Sequence, residues 1–142
     1  MIKDTNKFST EAYVMKVDKP WGFELIFSDG TLKITSKILH VTAGKRSSLQ
    51  YHDIKEEILT LISGEGILEI ENNKGEVKKL IMELRKSYII LPKQIHRFAA
   101  GSKDCEIMES STPENGNTIR LEDDYSRGIE TEIDRQTARK NM

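Results

Sequence analysis

The stretch that most constrains this chain runs over residues 44–64, GKRSSLQYHDIKEEILTLISG. It reads as a strand, a short polar turn, a returning strand and a glycine turn. Gln50 and His52 stand two apart, so on a strand they point to one face. Glu57 follows the turn Asp53-Ile54-Lys55 and falls on the returning strand. The pattern predicts a hairpin, with strands over 48–52 and 57–63, that carries three metal-capable side chains on one side. A fourth, His96, lies downstream. The implied architecture is a small β-barrel with a metal inside.

Composition narrows the classes. A chain of 142 residues is most simply one domain, and buries roughly 68–70% of the surface its unfolded form exposes. With Lys plus Arg at 22 and Asp plus Glu at 23, the net charge of −1 argues against nucleic acid or an anionic membrane as partner. No apolar run approaches the ~20 residues that span a bilayer. The first ten residues lack the apolar core of a signal peptide, so a cytoplasmic protein is expected. The single cysteine, Cys105, excludes an internal disulfide and any thiolate-rich zinc site. A metal would need His, carboxylate or amide ligands.

Short strands separated by turns are predicted over 21–27, 32–42, 48–52, 57–63, 66–71, 76–82, 88–91, 96–99 and 105–110. Turn signals stand at Ser28-Asp29-Gly30 and Asn72-Asn73-Lys74-Gly75, and Pro92 ends a strand. Regular spacing without a helical period favours a sandwich or barrel. Runs such as Ile58-Leu59 and Ile89-Ile90-Leu91 are apolar at successive positions, which predicts cover on both faces. One cover is the barrel interior; the other is a second sheet or a second subunit. The expected division is an arm over 1–12, a barrel over 13–127 and a polar tail over 128–142, the tail forming a short surface helix or a mobile end.

These residues resemble a known family. Gly44-x5-Gln50-x-His52-x4-Glu57-x6-Gly64 is similar to the first cupin motif, with Gln where most cupins carry the first His. Leu91-Pro-Lys-Gln-Ile-His96 resembles the second motif, with His four residues after Pro instead of five and Arg85-Lys86-Ser87 in place of the usual glycine and acidic pair. Lys19-Pro-Trp-Gly-Phe-Glu24, Lys37-Ile-Leu, Ser48-Leu-Gln-Tyr-His52 and Arg120-Leu-Glu-Asp-Asp-Tyr-Ser-Arg127 look like the small cupins related to mannose-6-phosphate isomerase. They also look like the isomerase domain of the bifunctional mannose-1-phosphate guanylyltransferases. In those relatives the last element usually reads Tyr-Gly-Arg; here Ser126 replaces the glycine.

The resemblance implies a jelly-roll barrel, a homodimer and one divalent ion (Zn, Fe, Mn, Ni or Co) held by Gln50, His52, Glu57 and His96. It implies a sugar-phosphate aldose–ketose isomerase, most concretely for mannose 6-phosphate and fructose 6-phosphate. Lys37 is the expected base, facing inward with a lowered pKa, and Arg127 the expected phosphate holder. Strand parity puts His40 on the face opposite Lys37, as an ordinary strand histidine. Arg97 is expected outside in a surface ion pair, Trp21 in the core and Cys105 buried; Glu24 and Glu109 are minor alternatives as base. A non-catalytic cupin that binds a small sugar or acid, and an Fe-dependent dioxygenase, fit the same ligand types.

Overall fold

Two long strands organise the chain. The computed structural model describes residues 2–140, so Met1 of the expected arm and Asn141 and Met142 of the expected tail lie outside the described residues. The elements are β1 (Met15–Lys19), β2 (Gly22–Ile26), β3 (Thr35–Val41), β4 (Leu49–His52), β5 (Glu57–Glu71), β6 (Val77–Ile81), β7 (Ser87–Ile90), β8 (His96–Ser111), β9 (Thr118–Glu122) and a helix, α1 (Glu132–Lys140). Strand order is β1-β2-β3-β8-β4-β9, and β5 pairs with β8 along most of its length and with β6 and β7 on its other edge. The sheet therefore curls around one interior.

The expected breaks at 63–66 and 100–104 are bends inside β5 and β8, with register shifts between Leu61 and Ser63 and between Gly64 and Gly66. Gly64 makes the bend possible. Its φ is +79°, and a Cβ there would lie 1.9 Å from the Asp104 carbonyl oxygen. Beyond the bend each strand changes neighbours. The far half of β8 lies between β5 and β3, and its near half joins β4 through the His96–Gln50 pair.

One expectation is corrected. Residues 48–52 and 57–63 do not form a hairpin among the described residues. β4 pairs with β8 and β9, whereas β5 pairs with β6, β7 and β8. The connecting turn binds elsewhere: the Asp53 carboxylate accepts from the Asn117 backbone N–H at 2.7 Å and from its side-chain amide at 2.9 Å. His52 and Glu57 thus meet across the barrel interior. β1 and β9 are strands that the apolar pattern did not announce, since both alternate mostly polar residues.

Alternation places the core. In β3, Thr35, Lys37, Leu39 and Val41 are buried and the residues between them are half-buried. Leu39, Val41, Leu59, Leu61, Leu68, Ile90 and Ile107 form the apolar end of the interior with Trp21 and Phe98, whose rings meet edge to face at 5.0 Å. Each such aliphatic side chain contributes about 1.5–3 kcal/mol by leaving water. On the outer face Ile58, Ile89 and Met108 stay exposed. No helix among the described residues is long and apolar enough to cross a membrane.

Gly64→Ala is expected to lower stability by about 3 kcal/mol, from the backbone strain and the carbonyl clash together. Urea unfolding measures it, and a loss below about 1 kcal/mol would show that the bend tolerates a side chain.

Candidate metal centre

The polar end of the interior holds the expected ligands. Parity turns His52 of β4 inward, and Glu57, the first residue of β5, faces it. His96, the first residue of β8, completes the group: one ligand atom from each lies within 4.8 Å of the others, and all three residues are buried. His96 Nε2 stands 2.9 Å and His52 Nε2 3.5 Å from Glu57 Oε1. Gln50, opposite His96 in the β4–β8 register, lines the same cavity, and its Oε1 accepts from the Ser48 hydroxyl at 2.5 Å.

The ring nitrogens on the far side set the chemistry. His96 Nδ1 lies 2.9 Å from the Gln94 carbonyl oxygen, which only an N–H can satisfy. A neutral ring then presents Nε2 with a free lone pair. That atom is buried and makes no hydrogen bond, despite its closeness to Glu57. Donors that share one ion at about 2.0–2.1 Å stand about 3.0 Å apart in an octahedron and about 3.4 Å apart in a tetrahedron. Separations of 2.9 and 3.5 Å lie within the range that ligands of one ion span, without selecting a geometry. Two imidazoles and a carboxylate, with an amide oxygen beside them, therefore fit a divalent first-row ion.

Electrostatics favour the ligand forms. Burial disfavours the Glu57 charge, but Lys55 above all holds it well below the usual carboxylate range. Burial chiefly, with Lys55, pushes His52 down to about 4 against the pull of Glu57. His52 is thus neutral at pH 7 and ready to donate its lone pair.

Lys55 is a site residue that the sequence reading left in the turn. Its Nζ lies 3.3 Å from Glu57 and 3.2 Å from Glu109, and it is buried. Burial opposes its charge, yet Glu109, Glu57 and Glu114 raise its pKa. Glu109 also accepts from the Ser111 hydroxyl at 3.0 Å. Burial raises the Glu109 pKa, with Lys55 and Lys37 pulling the other way. The only early signal for Lys55 was its place two residues before Glu57, where strand parity would turn it to the same face.

Lys37 faces inward, as expected, and is 2% exposed. The expected lowered pKa is corrected. Burial does act downward, but Glu24, Glu109 and Glu114 overcome it and raise the value. The ammonium sits 3.0 Å from Glu114 and 3.4 Å from Glu24. Arg127 lines the cavity but gives two hydrogen bonds to Asp123, at 2.9 and 3.1 Å. Ser126 keeps a φ of +57°, the left-handed conformation that glycine favours. Arg120 is a second arginine on the cavity wall, with a buried Nε that has no partner among the described residues.

The remaining assignments divide. His40 lies on the other face, stacked on Phe23 with its ring nitrogens near Asp104 and Glu106. Cys105 is buried, and burial pushes its thiol up to about 11. Arg97 points away from His96 but is not at the surface. It is 2% exposed, gives a 3.0 Å hydrogen bond to the Ser47 carbonyl and lies near Glu69 and Glu122, because β9 and its flank cover that face. The tail residues Arg135 and Arg139 of α1 line the cavity.

Against known proteins the architecture is familiar. The capsular polysaccharide assembling protein CapF from Staphylococcus aureus superposes with a TM-score of 0.64 at 13% identity, over 90% of this chain and 33% of that one. KdgF from Halomonas sp. gives 0.59 at 17%, over 71% and 89%. The oxalate decarboxylase of Bacillus subtilis gives 0.63 at 17%, over 75% and 29%. The fold is the cupin jelly roll. This cupin barrel spans about a third of the CapF and oxalate decarboxylase chains and most of KdgF. No protein-family model matches the sequence, and no curated protein matches it.

Metal analysis is expected to find one divalent ion per chain and less than about a tenth of that in His96→Ala, since one lost imidazole ligand costs at least that much affinity. Equal metal content in the two proteins would reject the site. In the metal-free chain, the unfolded state takes up a proton on His52 near pH 6.5 and the folded state only near 4. Stability is therefore full above pH 6.5 and falls by on the order of 3 kcal/mol as pH drops towards 4. Denaturant titrations across that window are expected to show a shallower fall in His52→Gln than in wild type.

Proposed function

We propose that this cupin is a metal-dependent aldose–ketose isomerase of a small sugar phosphate, with mannose 6-phosphate and fructose 6-phosphate as the most concrete pair. The observation that carries the reading is the buried Lys55–Glu109 pair set directly against the His52–Glu57–His96 group. Those three residues and Gln50 would hold a divalent ion, which would supply Lewis-acid polarisation of a sugar carbonyl and of the oxygen that gains charge when the neighbouring carbon loses its proton.

The chain's own residues do the rest. Glu109, whose raised pKa brings it nearer to neutrality, takes the proton from one carbon and returns it to the next. Lys55 stays charged and fixes Glu109 by its ion pair. Lys37 serves as a cation that steadies a sugar oxygen, a role its ion pairs suit better than that of base. Arg127 and Arg120 on the cavity wall hold the phosphate, for which a planar guanidinium is the fitting donor. The Pro-Trp-Gly and Ser-Leu-Gln-x-His runs support the sugar-phosphate branch. CapF by its name works in polysaccharide assembly, and the oxalate decarboxylase of B. subtilis has Mn(II) centres; both agree with carbohydrate and divalent metal in this fold. A second copy covering Ile58 and Ile89 completes the reading as a homodimer.

A coupled assay with mannose 6-phosphate and added divalent metal is expected to show turnover that falls about 100-fold or more in Glu109→Gln. No turnover with any divalent ion over a panel of sugar phosphates would reject the isomerase. A melting shift without product is the behaviour of a binding cupin. Size-exclusion light scattering is expected to give a dimer, and a clean monomer would remove that part of the reading.

A further inference from the structure

The cavity that holds the metal group measures about 70 Å³. That is well below the roughly 300–1,000 Å³ of ligand pockets. A sugar phosphate does not enter this interior as it stands, so part of the wall moves. Most of the wall is hydrogen-bonded strand. The non-strand wall includes Lys55, Arg127, the loop over residues 113–117 and α1, and the last two touch each other.

These two pieces grip one another through one side chain. Glu114 reaches into the cavity and takes the Arg139 guanidinium on both oxygens, at 2.9 and 3.1 Å, and Lys37 Nζ at 3.0 Å. Arg135, one helical turn before Arg139, donates to the Glu114 and Gly116 carbonyl oxygens at 2.6 and 3.4 Å. Both ends of the loop and the start of α1 are pinned to the barrel. Thr112 N donates to the Glu56 carbonyl at 3.1 Å, and Asn117 N to the Asp53 carboxylate at 2.7 Å. Thr118 and Glu130 exchange backbone hydrogen bonds at 2.8 and 3.0 Å, just before a helix start capped by Thr131 and Asp134. Beyond those pins the Glu114 and arginine contacts hold the two pieces in place. The hinge touches the metal group, because the Thr118 hydroxyl lies 3.1 Å from His52 Nδ1.

We propose that the 113–117 loop and α1 move as one latched lid over the barrel mouth, and that the Glu114 carboxylate occupies the seat on Lys37 that a sugar oxygen of the ligand takes when the lid opens. The chain thus carries its own competitor for that seat. This rests on the reading that a small anion enters the barrel, but the latch is testable without metal or substrate.

The chain's single tryptophan, Trp21, lines the cavity and is buried, so its fluorescence reports access. Acrylamide, being neutral, reads openness and not charge. In the full chain, Glu114→Gln and Arg139→Ala are each expected to raise the quenching constant by about two-fold or more through more frequent opening. The exposed Lys140→Ala is expected to leave it unchanged. Thermal melts show whether each variant is folded, and Arg139→Ala decides if Glu114→Gln is not. In wild type, hydrogen exchange of 113–117 and 132–140 is expected to open in one step ahead of β5 and β8. Wild-type quenching in both folded variants, or separate opening of the two segments, would overturn the lid. Loss of metal binding or of turnover with the latch intact would instead overturn the isomerase.

Discussion

The Glu57 carboxylate is the constraint around which the interior is arranged. It is 4% exposed, and a lone charge at that depth would be neutralised or would unfold its surroundings. Lys55 keeps it ionised from one oxygen, and His52 and His96 meet the other. Each partner is itself fixed. Lys55 is tied to Glu109, His96 to the Gln94 carbonyl and His52 to Thr118. Such a network is stable only when complete, and His96 Nε2, without a hydrogen-bond partner among the described residues, is its open position.

That network depends on two bent strands. β5 begins with Glu57, β8 begins with His96, and their long antiparallel pairing fixes how far apart those ends can be. The Gly64 bend lets one strand serve both halves of the curled sheet, so the apolar end can close around Leu39 and Ile107 while the polar end stays lined with charge. A second layer of ions stands above the metal group: Lys37 and Arg139 around Glu114, and Arg135 on Glu130. The cavity is therefore both buried and highly charged, an environment in which small movements of one ion change the field on the rest.

Much of the His52–Glu57–His96 cluster was legible in the sequence, and the reasons mark where legibility ends. The two-residue spacing of Gln50 and His52 fixes a face on any strand, and His96 after Pro92 needed no knowledge of pairing. Strand partners were not legible. Period-two alternation says which side a residue faces but not which strand lies next to it, so the 48–63 stretch read as a hairpin although β4 and β5 belong beside other strands. Glycine has two meanings, and Gly64 is a bend where a turn was expected. Lys55, Arg97 and the arginines of α1 looked like solvated charges because burial of a charge is set by distant carboxylates and covering segments. No local pattern records those. The reversed pKa direction of Lys37 has the same origin, in Glu24 and Glu114 brought close only by the fold.

The central claim is that His52, Glu57 and His96 share one divalent ion. X-ray absorption fine structure on the zinc-loaded protein tests it most directly. The account predicts two imidazole nitrogens and at least one oxygen at about 2.0–2.2 Å, with one imidazole signal lost in His96→Ala. A shell of oxygens alone, without imidazole scattering, would contradict it.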